Sequence, residues 1–390
     1  MRKLSTLLGL PQHRFASIHV VGTNGKSSVT RMIAALLEAH GVSAGACVSP
    51  HAARWSERVL LHGREIGAAE FATAVEKGAA AAEVVNRGLE EGETVTQFEL
   101  ATAAAFVALA DARVKAAAIE AGLGGRLDAT NTIPSKVTVL TSVGLDHTEW
   151  LGDTEEQIAV EKLAVLRDHS TLVLGQVSPA VAKLAEGAAA ERGAKLIAAP
   201  QDPGPEIELR IPGRFQRRNF ALACAATEAF LGELDRERVA VVAAGIEIPG
   251  RLERVGDDPP TFLDAAHNPD GAKALAEALP EVAAGRPVIA CLAILADKDA
   301  RAIVEALAPV LAHAVCTELP APSARRRAFR AAELAAVCVE AGVATEAEAD
   351  FGAAVARARD LAREAGGILL VTGSHYALAP ARAALGLCED

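Results

Sequence analysis

The chain has 390 residues, 51% of them hydrophobic and only 3% aromatic, with 50 acidic against 39 basic residues and a formal net charge of −11. That length exceeds the roughly 250–300 residues over which a single hydrophobic core keeps growing, so two domains are expected. The acidic balance works against non-specific affinity for nucleic acid or anionic lipid, both of which need a basic surface, and no apolar run approaches the ~18 residues of a membrane span.

The amino terminus lacks the charged-then-apolar pattern of a secretory signal, so a cytoplasmic location is expected. Six cysteines, Cys47, Cys224, Cys291, Cys316, Cys338 and Cys388, show no C-x-x-C spacing and read as reduced thiols. The one basic cluster, Arg325-Arg326-Arg327, reads as a solvated loop or helix entry and is assigned no role.

In chain order, a short β-rich run over 18–21 leads into Gly22-Thr23-Asn24-Gly25-Lys26-Ser27-Ser28 and then a helical pattern over 29–39. Glycines let the backbone approach a phosphate, N–H groups at the helix start attract the anion, Lys26 neutralises terminal phosphates and a hydroxyl reaches Mg²⁺. The match to the general phosphate loop is partial, because Val20 stands where a further glycine is usual. Alanine-rich helical stretches follow at 78–83 and 101–110.

The run 116–120 reads as a buried strand ending on Glu120. The run 137–142 is a second strand, leading through Gly144-Leu145-Asp146 to His147. Ligands bind at the carboxyl ends of strands in doubly wound sheets, so Glu120 and His147 are placed beside the phosphate loop, where a carboxylate and an imidazole suit a divalent ion. Lys162, within a helical pattern over 154–166, reads from physics alone as a solvated helix lysine.

A strand at 171–174 and a helix at 180–190 continue the alternation. Residues 201–210, with Pro203, Gly204 and Pro205, read as a turn-rich insertion or hairpin before a helix at 216–231. The rhythm restarts after Pro249-Gly250-Arg251, with strands at 261–263, 288–292, 314–317 and 368–371 and helices at 271–279 and 300–311. The fold class is therefore α/β: a phosphate-loop, doubly wound, mostly parallel sheet domain over 1–248, then a smaller Rossmann-like α/β domain over 249–390, with any hinge near 247–251.

Taken together these segments resemble the Mur ligase superfamily, and within it the folylpolyglutamate synthase/dihydrofolate synthase family. The resemblance is carried by residues 19–26 (HVVGTNGK), Ser49-Pro50-His51, residues 122–131 (GLGGRLDATN), residues 144–152 (GLDHTEWLG), Glu161-Lys162, residues 216–219, residues 249–253 (PGRLE), residues 264–269 (DAAHNP), Asp297-Lys298-Asp299 and Thr372-Gly373-Ser374. It implies a Mur ligase-like architecture and an ATP-dependent ligase that joins L-glutamate to dihydropteroate or a folate through an acyl phosphate, with the two domains closing over the site. Thr23, Asn24, Gly25, Lys26, Ser27, Ser28, Asn219, Arg251 and Asp264 fall on its ATP-contacting positions. Ser49, Glu120, His147 and Lys162, the last as a carbamylated lysine, fall on positions that hold two Mg²⁺ ions. Thr96, Gln97, Phe98, Glu99, Leu127, Asp128 and Ala129 fall on the pterin side, and Lys26, Lys162, His267 and Ser374 on positions taken as catalytic. Relatives are often monomers, and no nucleic acid or membrane partner is implied.

The sequence departs from the family pattern at Ser27, where a second glycine is usual, at Leu163-Ala164, where Ala-Gly is usual, and at His375, where an apolar residue is typical. Relatives also carry some tens of residues ahead of the Leu7-Leu8-Gly9-Leu10-Pro11 match; either the start lies upstream or the folate site is more open. Two rival readings are a Mur-type ligase acting on another carboxylate and a nucleotide-binding regulatory protein that has lost catalysis.

Overall fold

The computed structural model describes residues 1–320 and 327–387, so Arg325, Arg326 and Cys388 lie outside the described residues. The chain divides into two compact units, Met1–Leu209 with Arg217–Ile246, and Arg210–Gln216 with Glu247–Asp390. Within the second unit, Phe215 of the short excursion packs against that unit's own core.

The first unit is built on eight strands: β1 (Ala16–Val21), β2 (Ala44–Cys47), β3 (Val59–Leu61), β4 (Arg64–Glu65), β5 (Ala116–Glu120), β6 (Val137–Leu140), β7 (Thr171–Leu174) and β8 (Lys195–Ala198). They lie in the order β4-β3-β2-β5-β1-β6-β7-β8. β2, β5, β1, β6, β7 and β8 run parallel, and β3 and β4 add an antiparallel edge. After β1 the chain winds out through β2 on one flank, then crosses from β5 to β6 on the other, which makes the carboxyl end of β1 the topological switch point. The register sets Val20 beside Glu120 and Val21 beside Leu140, so β1, β5 and β6 end nearly level at that edge.

Small residues on β2 and β5 let a helix approach closely. A Cβ on Gly45 would stand 2.3 Å from Leu109 Cδ2 of the helix Gln97–Asp111. That helix drives Phe106 into the sheet, where it is fully buried and lies 6.4 Å, centroid to centroid, from the tilted ring of Phe15. Truncating Phe106→Ala removes a buried ring from a site that cannot collapse around a rigid sheet, and a loss of about 3–5 kcal/mol is expected on denaturant unfolding of the first unit.

The second unit holds β9 (Glu253–Asp257), β10 (Pro260–Leu263), β11 (Val288–Leu292), β12 (His313–Cys316), β13 (Thr345–Ala347) and β14 (Ile368–Thr372), in the order β13-β12-β11-β14-β10-β9. All neighbours are parallel except β9, which pairs antiparallel with β10. Leu275, Leu279, Ile303, Val304 and Leu307 of the helices Pro269–Ala283 and Ala300–Leu307 form its core with Ala290, Leu292 and Leu370.

Two sequence expectations shift here. The helix expected over 300–311 ends at Leu307, and Pro309 sits in the tighter turn Ala308–Val310, since a proline lacks the N–H that would continue the helix. The segment 201–210 is turn-rich but contains no strand, so no hairpin forms there. Among the described residues no helix is long and apolar enough to cross a membrane.

Candidate active site

The loop after β1 wraps the start of the helix Lys26–Ala39. Gly25 caps that helix with φ at 82°, a left-handed conformation that costs a side-chain-bearing residue about 1–2 kcal/mol. A Cβ there would also stand 2.6 Å from Asn219 Oδ1, which puts the Asn219 amide directly against the loop. Gly25→Ala is therefore expected to weaken ATP affinity by at least tenfold, about 1.4 kcal/mol, and to lower the melting temperature by a few degrees through the strain at that position; titration calorimetry and thermal melts check the two halves.

The loop is braced from its neighbours. Thr141 Oγ1 donates to Asn24 O at 2.6 Å and Ser142 Oγ accepts from Asn24 N at 3.0 Å. Thr23 Oγ1 both donates to Gly144 O and accepts from Gly144 N, at 3.2 and 3.1 Å, tying the loop to the segment that carries His147. Lys26 Nζ donates to Thr23 O at 3.1 Å, across the mouth of the loop. Ser28 is buried in the first turn of the helix.

Beneath the loop, Glu120 is buried at 2% exposure. Its Oε1 accepts from Ser27 Oγ at 2.9 Å and its Oε2 from Ser49 N at 2.9 Å. The family-atypical hydroxyl of Ser27 thus meets the carboxylate expected to face the metal. His147 follows with a left-handed backbone, φ 53°, held by Asp146 Oδ1 accepting its N–H at 3.0 Å. Such a conformation in a non-glycine residue is uncommon and concentrates at functional sites.

Lys162 is not the solvated helix lysine that its sequence context suggests by itself. It is 4% exposed, its Nζ donates to Gly22 O at 2.8 Å, and burial, reinforced by the charge of Lys26, lowers its pKa from the usual lysine range to about 7 against the opposing pull of Asp146 and Asp128. Four candidates from four segments, Lys26, Ser49, Glu120 and Lys162, therefore sit under or against one loop, with His147 on the segment clasped by Thr23.

The donor set can be tested against a divalent ion. Among the described residues no group of three or more His, Cys, Asp and Glu converges. One carboxylate, the Ser27 hydroxyl and the imidazole of the segment clasped by Thr23 are donor types that fit Mg²⁺ or Mn²⁺, which keep waters and take phosphate oxygens as the remaining ligands.

Of the residues expected on the pterin side, Thr96 caps the helix Gln97–Asp111: its Oγ1 accepts from Glu99 N at 3.2 Å, and Glu99 accepts from Thr96 N at 2.9 Å. Both side chains are therefore engaged in helix capping, and Gln97 opens the helix. The Phe98 ring lies against Gly122, where a Cβ would come within 2.4 Å of it. Leu127 is 93% exposed, Ala129 is buried, and Asp128 Oδ2 accepts from Leu123 N at 2.8 Å while its Oδ1 accepts from Thr130 N and Oγ1. Asp128 thus fastens its own loop, and burial raises its pKa.

In the second unit, Arg251, Asp264, His267 and Ser374 gather at the carboxyl ends of the adjacent strands β10 and β14. Asp264 is buried, which raises its pKa despite the charge of Arg251, and it accepts from Leu252 N at 2.9 Å and Ala266 N at 2.8 Å. His267 Nδ1 donates to Ala265 O at 2.9 Å. Ser374 is 1% exposed and accepts from Tyr376 N at 3.2 Å.

Residues 20–197 match the Mur ligase middle domain and residues 250–375 the glutamate ligase domain of Mur ligases. A dihydrofolate synthase/folylpolyglutamate synthase of Mycobacterium tuberculosis is 34% identical over 359 residues, which cover 82% of this chain and 74% of that relative. The chain belongs to the folylpolyglutamate synthase/dihydrofolate synthase family. Its likeness extends to three dimensions: a Mycobacterium tuberculosis folylpolyglutamate synthase complexed with ADP and AMPPCP superposes with a TM-score of 0.92 at 32% identity, covering 100% of this chain and 95% of the other. A bifunctional member of the family from Yersinia pestis, complexed with AMPPNP and a Mn ion, gives 0.85 at 29% identity, covering 99% and 92%. Within this family fold, sequence reasoning missed the hydroxyl braces Thr141 and Ser142 and the placement of Thr130. The available signal was the pair of adjacent hydroxyl residues directly after β6.

Proposed function

We propose that the chain is an ATP-dependent ligase that adds L-glutamate to dihydropteroate, to (tetrahydro)folate polyglutamates, or to both, releasing ADP and phosphate. The observation that carries this is the stacking of three groups at one strand edge: the Lys26 ammonium at the mouth of the phosphate loop, the Ser27 hydroxyl at the helix start, and Glu120 below them, bonded to Ser27 and Ser49.

A carboxylate is a poor electrophile for an amine, so the acceptor carboxylate oxygen first attacks the γ-phosphorus of ATP and ADP leaves. The loop N–H groups and Lys26 hold the phosphates in line for that attack. Ser49, Glu120, His147 and Lys162 as its carbamate would hold Mg²⁺, which when bound neutralises charge on the phosphate oxygens. Asn219, set against Gly25, contacts the nucleotide beside Thr23, Asn24 and Ser28. In the second unit Arg251 and Asp264 serve ATP, and His267 and Ser374 serve the glutamate step. The glutamate amine, having lost its proton, attacks the acyl carbonyl; the tetrahedral intermediate collapses to the amide and expels phosphate. Thr96, Gln97, Phe98, Glu99, Leu127, Asp128 and Ala129 shape the pterin end.

In this reading residues 1–248 carry ATP and folate and residues 249–390 the glutamate-ligase part. The protein works as a cytoplasmic monomer without nucleic acid or membrane partners; its net charge of −11 supports the absence of such partners, and the free cysteines among its described residues support the location. A Mur-type ligase for another carboxylate and a non-catalytic nucleotide-binding protein have less support: the residues 122–131 and 144–152 follow the folate branch, and Lys26, Glu120 and Lys162 remain together. An acceptor labelled with ¹⁸O in its carboxylate tests the route. One labelled oxygen in the released phosphate is expected; unlabelled phosphate contradicts the acyl phosphate.

A further inference from the structure

The acceptor-side loop is anchored to the strand that carries the phosphate loop. His19 lies on β1, fully buried, three residues before Gly22, and β1 is paired on both sides, with His19 opposite Ile119 of β5 and Thr138 of β6. Its Nε2 lies 2.8 Å from Thr130 Oγ1, and Thr130 Oγ1 lies 2.5 Å from Asp128 Oδ1. A carboxylate accepts only, so the Thr130 proton points at Asp128 and the Thr130 lone pair faces His19. Nε2 must then carry the imidazole proton, and Nδ1 is left as a bare, buried lone pair without a partner. Imidazolium would bury an unpaired N–H at Nδ1, and burial together with the charge of Arg167 accordingly lowers the His19 pKa to about 3.

The chain of donors runs one way: His19 to Thr130, Thr130 to Asp128, with Asp128 Oδ2 closing on Leu123 N at 2.8 Å. Arg167 fixes the far end, donating from Nη2 to Asn131 O at 2.8 Å and from Nε to Ile133 O at 3.1 Å. The bland alternative, a buried histidine that only fills space, does not call for an oriented donor aimed at the one hydroxyl that holds the loop carboxylate.

We infer that His19 is a positioning residue for the acceptor: through Thr130 and Asp128 it sets the shape of residues 122–130 and ties the pterin side to the phosphate-loop strand. This rests on the acceptor role proposed for that loop. It makes no contact with substrate and moves no proton during the reaction.

The test is steady-state kinetics on the full chain. His19→Leu removes the donor, Thr130→Val removes the hydroxyl with little change of shape, and His19→Gln restores an amide donor near the Nε2 position. Each of the first two is expected to raise the acceptor KM about tenfold, the effect of losing one good hydrogen bond, with the ATP KM changed by less than about twofold. His19→Gln should return most of the loss. The His19→Leu/Thr130→Val double variant should be no worse than the worse single, because both cut the same chain. ATP and acceptor KM values rising together, or single effects that multiply in the double, would overturn the inference; if His19→Leu fails to fold, an unchanged acceptor KM in Thr130→Val does so alone. Hydrogen exchange at the Leu123 and Thr130 amides gives a second reading independent of turnover, with protection lost in both single variants and regained in His19→Gln. Unchanged protection contradicts the relay, whereas wild-type protein that transfers no glutamate to any pteroate or folate contradicts the functional reading instead.

Discussion

Glu120→Gln is expected to abolish metal-dependent turnover while the first unit stays folded. The glutamine is isosteric: its carbonyl can accept from Ser49 N as Glu120 Oε2 does, and its amide can donate to the Ser27 oxygen that now donates to Oε1. The structural cost is therefore that of one rearranged hydrogen bond, about 1 kcal/mol. The functional cost is larger, since the buried negative charge that draws a divalent ion to the phosphate loop is gone. Removing one such preorganised electrostatic group from a phosphoryl-transfer site lowers kcat by on the order of 10³. Circular dichroism and a Mg²⁺ titration of ADP release check the two parts. Unchanged turnover at the same Mg²⁺ concentration would show that Glu120 is a structural carboxylate at the end of β5.

Lys162→Met is expected to stabilise the fold and to remove most activity, a combination that only a functional buried charge produces. The folded pKa of about 7 lies below the ordinary lysine value of 10.5, so the unfolded chain binds more protons across that window. The ionisation-linked cost of burying the amine is absent well above pH 10.5; it grows as pH falls toward 7 and is complete below it, reaching a few kcal/mol. The gain in melting temperature of Lys162→Met over wild type should therefore widen as pH falls from about 10 to 7. At neutral pH a substantial fraction of the amine is unprotonated and able to add CO₂, releasing a proton and leaving a carbamate. Loss of that group should lower kcat by about 10²-fold, as for other residues that support a metal site. ¹³C-bicarbonate labelling reports the carbamate directly. Wild-type activity that does not fall when CO₂ is stripped, together with no labelled carbamate, would leave Lys162 as a buried amine clasping Gly22 and nothing more.

Much of this site was legible because its chemistry-bearing residues fall at strand ends. Lys26, Glu120 and His147 each follow a short apolar run, and a doubly wound sheet brings such positions to one edge. Lys162 was not legible from its surroundings, since a Glu-Lys pair in a short helix has the sequence of a solvated face; its burial follows from the backbone of Gly22 lying across the helix, a tertiary fact. The resemblance to the ligase family is what singled it out. Thr96 and Glu99 show the reverse case, because their three-residue spacing is itself the capping-box signature that the structure shows them forming.

In the fold, β2 was missed because Ala44-Gly45-Ala46-Cys47 lacks the β-branched residues that mark strands, and it forms one because small side chains admit Leu109 from the helix above. The edge hairpin β3 and β4 is too short to carry a periodic signal. The grouping of Arg210–Gln216 with the second unit has no local sequence mark, because it depends on where Phe215 finds a core.

The most direct test of the central claim is ADP release by the purified protein in the presence of Mg²⁺, ATP and L-glutamate, run in parallel with dihydropteroate and with tetrahydrofolate and followed by mass analysis of the products. A mass increment of one glutamyl residue on either acceptor, dependent on both ATP and glutamate, is the predicted result. ATP-binding protein that adds no glutamate to either acceptor would contradict it.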